Sequence, residues 1–431
     1  MKKYKLGELL DVTRGASLSG EYYSTEGEFI RLTLGNFDYQ NGGFKENTSK
    51  DDLFFMGTVK PQFILNEGDI ITPLTEQTQG LIGSTARIPQ SGVYIQSQDV
   101  GLVKCNGELL DPDFCYYLLP SQIVKKQLSA GAQQTKIRHT SPDKIKDVTV
   151  FLPELSEQRK IGHILRSIDS QIDNLTAINR NLEQVTRQLY DYWFVQFDFP
   201  NIEGKPYKSS GGELDYIDLL KREIPKSWEL VSLNDFVAQR ISGDWGNETE
   251  TTQNSIKVSC IRGADLKTLE DLPTRFIADN HINRLLKPLN VIIEMSGGSP
   301  TQSTGRSAII LKETIDDNNN AVVCSNFCQA ISPLKEFELY FYFTWQLLYN
   351  NNVFFNFEGK TSGLRNLQLD NVLNIKWYKP NIELIKQFNS IGLNYLEETA
   401  RNKRLIRRLT KLRDELLPML LNGQVNCDLS N

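Results

Sequence analysis

Apolar side chains recur at alternating spacings of four and three over two long stretches of this chain. In the first they fall at Ile161, Leu165, Ile168, Ile172, Leu175, Leu182, Leu189 and Trp193, with Asn179 and Thr186 as polar exceptions. That spacing keeps one stripe of a helix against a partner, so it predicts a long helix within 154–197. The second stretch, 381–421, carries Phe388, Ile391, Tyr395, Leu396, Leu405, Ile406, Leu409, Leu412, Leu416 and Leu420, interrupted by the polar run Glu397 to Arg404. These apolar positions are expected to face a core, and Asn179 either fixes register or faces solvent. About 40 residues at about 1.5 Å each give a rod of about 60 Å.

Ahead of each helix the period shortens to strand-like runs. Before the first they lie near 29–33, 69–72 and 93–103, and before the second near 256–261, 290–293 and 321–331. The middle run of each set leads into a polar, glycine-bearing loop, at 75–83 and 296–306. An aromatic, helix-like stretch follows each set, at 114–119 and 339–343. Placed 227 positions apart, Arg138 falls on Arg365, Asp143 on Asp370, Pro153 on Pro380, Leu182 on Leu409 and Leu189 on Leu416. The pattern predicts an α+β chain written twice. Mixed α/β domains occupy 1–153 and 226–380, and long helices 154–197 and 381–421. A connector rich in Pro, Gly and Ser spans 198–225, and a tail spans 422–431. The two helices are expected to pair as an antiparallel coiled coil with pseudo-two-fold symmetry.

A chain of 431 residues and 49.2 kDa suits two such domains. With 39% hydrophobic and 23% charged residues it is expected to fold as a soluble globular protein. No run approaches the roughly 18 apolar residues that span a bilayer. The start, Met1-Lys2-Lys3-Tyr4-Lys5-Leu6, has no apolar stretch behind its lysines, so no signal peptide is expected and the cytoplasm is the default. Cys105, Cys115, Cys260, Cys324, Cys328 and Cys427 form no CxxC pair, and His139, His163 and His281 are far apart, which argues against a zinc site. The net charge of −5 does not point to nucleic acid, and only residues 381–431 are net basic. A nucleic-acid surface on this chain must be a local patch or be completed by a partner.

Two domain-plus-helix copies in one chain hold two similar, non-identical surfaces at a fixed distance. A reader of two short DNA sequences at a set separation has this layout, because half-site spacing mirrors protein geometry. A structural dimeriser has it too. The segment Leu152-Pro153-Glu154-Leu155-Ser156-Glu157-Gln158-Arg159 resembles the start of the long helix in type I restriction-modification specificity subunits (HsdS). Trp193-Phe194-Val195-Gln196-Phe197-Asp198-Phe199-Pro200, running on to Gly212, is similar to that family's central connector. Ile224-Pro225-Lys226-Ser227-Trp228 and Leu416-Leu417-Pro418-Met419-Leu420 resemble its second-domain start and its C-terminal end. Asn381-Ile382-Glu383-Leu384-Ile385 departs from the pattern by lacking the Glu-Gln pair.

The resemblance implies two target-recognition domains, each reading one half of a bipartite site on double-stranded DNA. It implies helices that set the spacer and dock two adenine-N6 methyltransferase subunits, with restriction subunits joining the complex. It implies no chemistry and no cofactor in this chain, with S-adenosylmethionine, ATP and magnesium on the partner subunits.

The residues themselves give enzymes little. No Pro-Pro pair exists for an amino-methyltransferase loop, and Gly359-Lys360-Thr361 has Phe354 where a P-loop needs its first glycine. Glu203-Gly204-Lys205 with Asp191 or Asp198, and Glu358-Gly359-Lys360, fit a metal-dependent nuclease only loosely. The alternatives to DNA readout are therefore a scaffold pseudo-dimer and, behind it, a nuclease. Candidate DNA contacts lie in the two glycine-bearing loops: Thr75, Gln77 and Gln79 in the first, Ser299, Gln302, Ser303 and Arg306 in the second. Arg31 and Arg262 stand near strand ends, where a guanidinium can read guanine. Lys136 with Arg138, and Lys360 with Arg365, precede the helix in both halves and are candidates for phosphate. The run Arg401, Lys403, Arg404, Arg407, Arg408, Lys411 and Arg413 faces phosphates, an acidic partner or solvent.

Overall fold

A computed structural model of the chain describes residues 1–38, 42–76, 81–130, 138–299, 301–319, 321–361 and 364–424. The chain divides into two compact units, one of Met1–Asp173 with Arg407–Asn431 and one of Asn174–Ile406. No described helix is long and apolar enough to cross a membrane.

In the first unit, Val100–Cys105 pairs antiparallel with Leu10–Arg14 on one side and Ile70–Pro73 on the other, and Ala86–Arg87 closes the sheet. Ile70, Ile71, Leu102 and Val103 are nearly inaccessible, which is why these runs read as almost continuously apolar. A second sheet runs Tyr23–Ser24, Phe54–Phe55, Phe29–Arg31, Tyr94–Ile95, with its last pair parallel. Lys2–Lys5 pairs with Thr149–Leu152, and Thr75–Glu76 with Arg138–His139. Two short helices pack nearby. Pro112–Leu118 is capped by Asp111, which accepts from the Phe114 N–H at 3.0 Å, and Pro142–Lys146 is capped by Ser141. In both, proline at the first position gives up an N–H that the helix does not need.

The second unit repeats this plan. Val237–Ser242, Cys328–Pro333, Val291–Glu294 and Ser307–Ile309 follow the same order as the first unit's four-stranded sheet. Ile256–Ile261 lies parallel to Val322–Cys324, as Phe29–Arg31 does to Tyr94–Ile95. Glu229–Ser232 pairs with Lys376–Lys379, and Ser296–Gly297 with Leu364–Leu367. The offset of 227 holds at Lys2 and Glu229, Pro142 and Leu369, Thr149 and Lys376, and Leu155 and Ile382, each the first residue of its element. It fails at Ile70–Pro73 and Val291–Glu294, so the scaffold keeps register while the strand that carries the loop has shifted.

The first long helix covers Leu155–Tyr190 and passes into a π-helical turn, Asp191–Val195. Its seam is as the periodicity predicts: Ile161, Leu165, Ile168, Asn179, Thr186 and Trp193 are buried. Gln158 is buried too, donating to the Leu109 and Pro153 carbonyls and accepting from the Asp111 N–H. It thereby ties the helix start to the neighbouring cap. The second helix, Ile382–Leu421, starts differently, with Asn381 accepting from the Leu384 N–H.

Within each unit the two helices run antiparallel. In the first, Arg413 meets Asp169 at 2.9 Å, while Leu420 and Leu421 share a core with Ile161 and Leu165. In the second, Asn402 meets Asn179, and further along Phe388 packs on Tyr190, Trp193 and Phe194. The connector is more ordered than its composition suggests. Phe199 stacks on both Tyr207 and Trp228, and Leu214–Ile217 forms a hairpin with Arg222–Pro225.

One expectation is corrected. Leu405 and Leu412 do not face the core, being 44% exposed each. Thr399 and Asn402 take the buried positions instead, because the seam continues through the polar run rather than around it.

Candidate nucleic-acid interface

In the second unit the buried strand Val291–Glu294 ends on a charged residue. Glu294 is 2% exposed, a state that an isolated carboxylate does not tolerate. Arg306, twelve residues on at the far end of the loop, answers it with a fork. Its Nε donates to Glu294 Oε2 at 2.9 Å and its Nη2 to Oε1. This bonding raises the guanidinium pKa further above its ordinary value, so the charge is fixed at any working pH. The backbone closes tightly over the acid: a Cβ on Gly263 would lie 2.9 Å from Glu294 Oε1. On Gly297, whose φ is +153°, it would lie 2.6 Å away.

A second pair stands beside it on the hairpin Glu358–Thr361 and Leu364–Leu367. Arg365 Nη1 donates to Glu358 Oε2 at 2.8 Å. The other Glu358 oxygen accepts from the Thr304 N–H at 2.7 Å and from its hydroxyl at 3.1 Å. Both ends of the hairpin-and-loop assembly are thus held: Ser296–Gly297 by the sheet, and Thr304 and Arg306 by two buried acids.

Arg262 repeats the device locally. It forks onto Asp265 through Nε and Nη2, both at 2.8 Å, and its N–H also donates there. Burial works to raise the Asp265 carboxyl, but these bonds outweigh it and hold the group below its ordinary value.

The remaining candidates divide by accessibility. Ser299 and Gln302 form a turn, with the Ser299 N–H on the Gln302 carbonyl at 2.7 Å, and Gln302 is exposed and donates to the Tyr349 hydroxyl. Ser303 is 3% exposed and offers nothing to a base edge. In the first unit, Thr75 is buried, donates to Asp99 at 2.9 Å and lies 3.4 Å from His139 Nδ1. Arg31 does not stand free at a strand end. It is buried over the Tyr23 ring and donates to the Asp52 carbonyl and carboxylate, so its role is to pin the chain around Asp52. Gln77, Gln79 and Lys136 lie outside the described residues, as do the side chains of Arg138 and Lys360. The Arg138 backbone pairs with Glu76, the position that corresponds to Arg365 opposite Gly297.

Two features escaped the sequence reading. The buried acids Glu294 and Glu358 are one; an acid closing the apolar run Val291-Ile292-Ile293 was the available signal. The other is a second stripe on each long helix. Ile178, Val185 and Tyr192 are 46%, 45% and 38% exposed, and Leu405, Leu412 and Met419 are 44%, 44% and 42% exposed. Each stripe advances by seven residues, and each member of the first lies 227 positions before its counterpart. Val185 and Tyr192 also line a shallow groove with Gln188, Leu189, Asp191 and Gln196.

The chain resembles known proteins along most of its length. A family model described as type I restriction modification DNA specificity domain matches residues 1–184. The type I restriction enzyme MjaIX specificity subunit of Methanocaldococcus jannaschii is 25% identical over 325 residues, 73% of this chain and 69% of that protein. The HindI specificity subunit of Haemophilus influenzae is 22% identical over 381 residues, 77% of this chain and 81% of that one. The crystal structure of a type I restriction-modification S subunit from M. genitalium superposes with a TM-score of 0.62 at 17% identity, covering 97% of this chain and 95% of that one. At that identity the two chains share a fold.

Proposed function

The chain belongs to the family of type I restriction-modification specificity subunits, and on that premise we propose that its two domains each read one half of a bipartite DNA target. It is a non-catalytic DNA-recognition component. The observation that carries the bipartite reading is the duplicated strand order, with a loop-bearing strand at the same place in each sheet. Two sites of one design and different side chains suit two half-sites of different sequence. The long helices set the spacer between them. Their exposed apolar stripes, matched residue for residue by the repeat, each dock one adenine-N6 methyltransferase subunit. Restriction subunits join this assembly, and S-adenosylmethionine, ATP and magnesium act on the partners.

The test is a genome-wide map of N6-methyladenine made with and without this chain, its methyltransferase being co-expressed. Loss of one split motif with a fixed gap is expected on deletion. An unchanged map in cells that methylate through this system would refute the assignment.

A further inference from the structure

The second domain spends two carboxylates whose side chains are 3% and 6% exposed on Arg306 and Arg365, which are themselves 33% and 27% exposed. Glu294 is not needed to close the core, since an apolar residue at the end of Val291–Ile293 would bury itself without a partner. Both acids also act on the same loop. Glu294 takes Arg306 through two bonds, and Glu358 takes Thr304 through two and Arg365 through one. Arg306, held by Nε and Nη2, has its guanidinium plane set by the carboxylate, whereas Arg365 is tethered to its acid through Nη1 alone. Gly263 and Gly297 both lie close to Glu294 Oε1, where a Cβ on either would crowd the carboxylate.

We infer that Glu294 and Glu358 are positioning residues for DNA readout: they aim Arg306 and Arg365 at base edges and at the same time cancel their charge toward DNA of any sequence. This rests on the DNA-reading assignment above. Two consequences separate it from a merely structural role. Discrimination between right and wrong bases depends on the fixed fork, since bidentate contact to a base requires a set plane. Sequence-independent attraction is held down, since each arginine reaches phosphate only with its own acid alongside.

The experiment uses the full chain assembled with its methyltransferase. The probes are a duplex carrying the mapped motif and duplexes with one base pair changed in either half-site. Glu294→Gln and Glu358→Gln are expected to lower the preference for the correct half-site of the second domain by about tenfold. Preference at the other half-site stays unchanged. Binding to unrelated duplex strengthens, and the log–log salt slope steepens by about one for each arginine released. Arg306→Lys keeps both charges and loses only the fork. It is expected to lower the same preference without steepening the slope, and it serves if a glutamine variant fails to fold. If Arg306→Ala abolishes the preference while both glutamine variants and Arg306→Lys retain it, the positioning role is wrong and the DNA-reading face stands. If Arg306→Ala and Arg365→Ala leave binding and preference intact, this face does not read DNA and the inference falls with that assignment.

Discussion

Asn402 donates from Nδ2 to Oδ1 of Asn179 across 3.0 Å, and both side chains are nearly closed off from water. The pair sits in the helix seam where two apolar residues would pack better. A buried polar pair of this kind fixes register at a cost in stability. Asn402→Ala leaves the Asn179 amide without this partner and should cost about 1–3 kcal/mol in urea unfolding. Asn179→Leu with Asn402→Leu should recover that loss or exceed it. If the double variant is instead less stable than Asn402→Ala, the pair contributes stability of its own.

The matched stripes lead to a count. Val185→Glu should remove one methyltransferase subunit from the complex, Leu412→Glu should remove the other, and the double variant should remove both. Each change should weaken docking by about 2 kcal/mol or more, roughly 30-fold. Native mass spectrometry reads the stoichiometry directly. Retention of both subunits by the double variant would move the docking surface elsewhere.

Helix length should appear in the target. Deleting seven residues from each long helix shortens the rod by about 10 Å, about three base pairs of duplex. The methylation map should then show the same two half-sites with a shorter gap. An unchanged gap would refute the ruler.

Glu338 opens the helix Glu338–Asn350 half-buried. Burial pushes its carboxyl above the ordinary 4.5; its own backbone N–H opposes this, and Glu336 adds to it. The folded chain therefore holds this proton more firmly than the unfolded chain. Its contribution to stability falls as pH rises from 4.5 through the raised folded value, and the penalty is complete above that. Glu338→Gln should raise Tm at neutral pH, with the gain fading toward pH ~4. An equal gain at both pH values would assign the effect to something other than this charge.

The helices, the repeat and several strands of each domain were legible because periodicity records which side of an element is covered; the order of strands in the sheets was not. Periodicity did not reveal which of two stripes faces inward. Leu405 and Leu412 have the same sevenfold spacing as the true seam, and the polar run around Thr399 and Asn402 looked like an interruption when it is the seam itself. The arginines were legible as candidates but not in their occupation. Arg31 meets Asp52, Arg306 meets Glu294 and Arg365 meets Glu358 only once the strands between them are paired. Only Arg262 with Asp265, three residues apart, lay close enough to be guessed from the chain.

The arginine–carboxylate forks also bear on how such a subunit finds its target. A genome offers roughly a million or more wrong sites for each right one, and a strongly cationic face would linger on all of them. A face whose guanidiniums already carry their counterions within the protein releases fewer ions from the duplex on arrival. Its stays on random sequence are correspondingly short, and most encounters end quickly. On the proposed reading, a chain of net charge −5 scans DNA by many brief collisions and dwells only where the base edges fit.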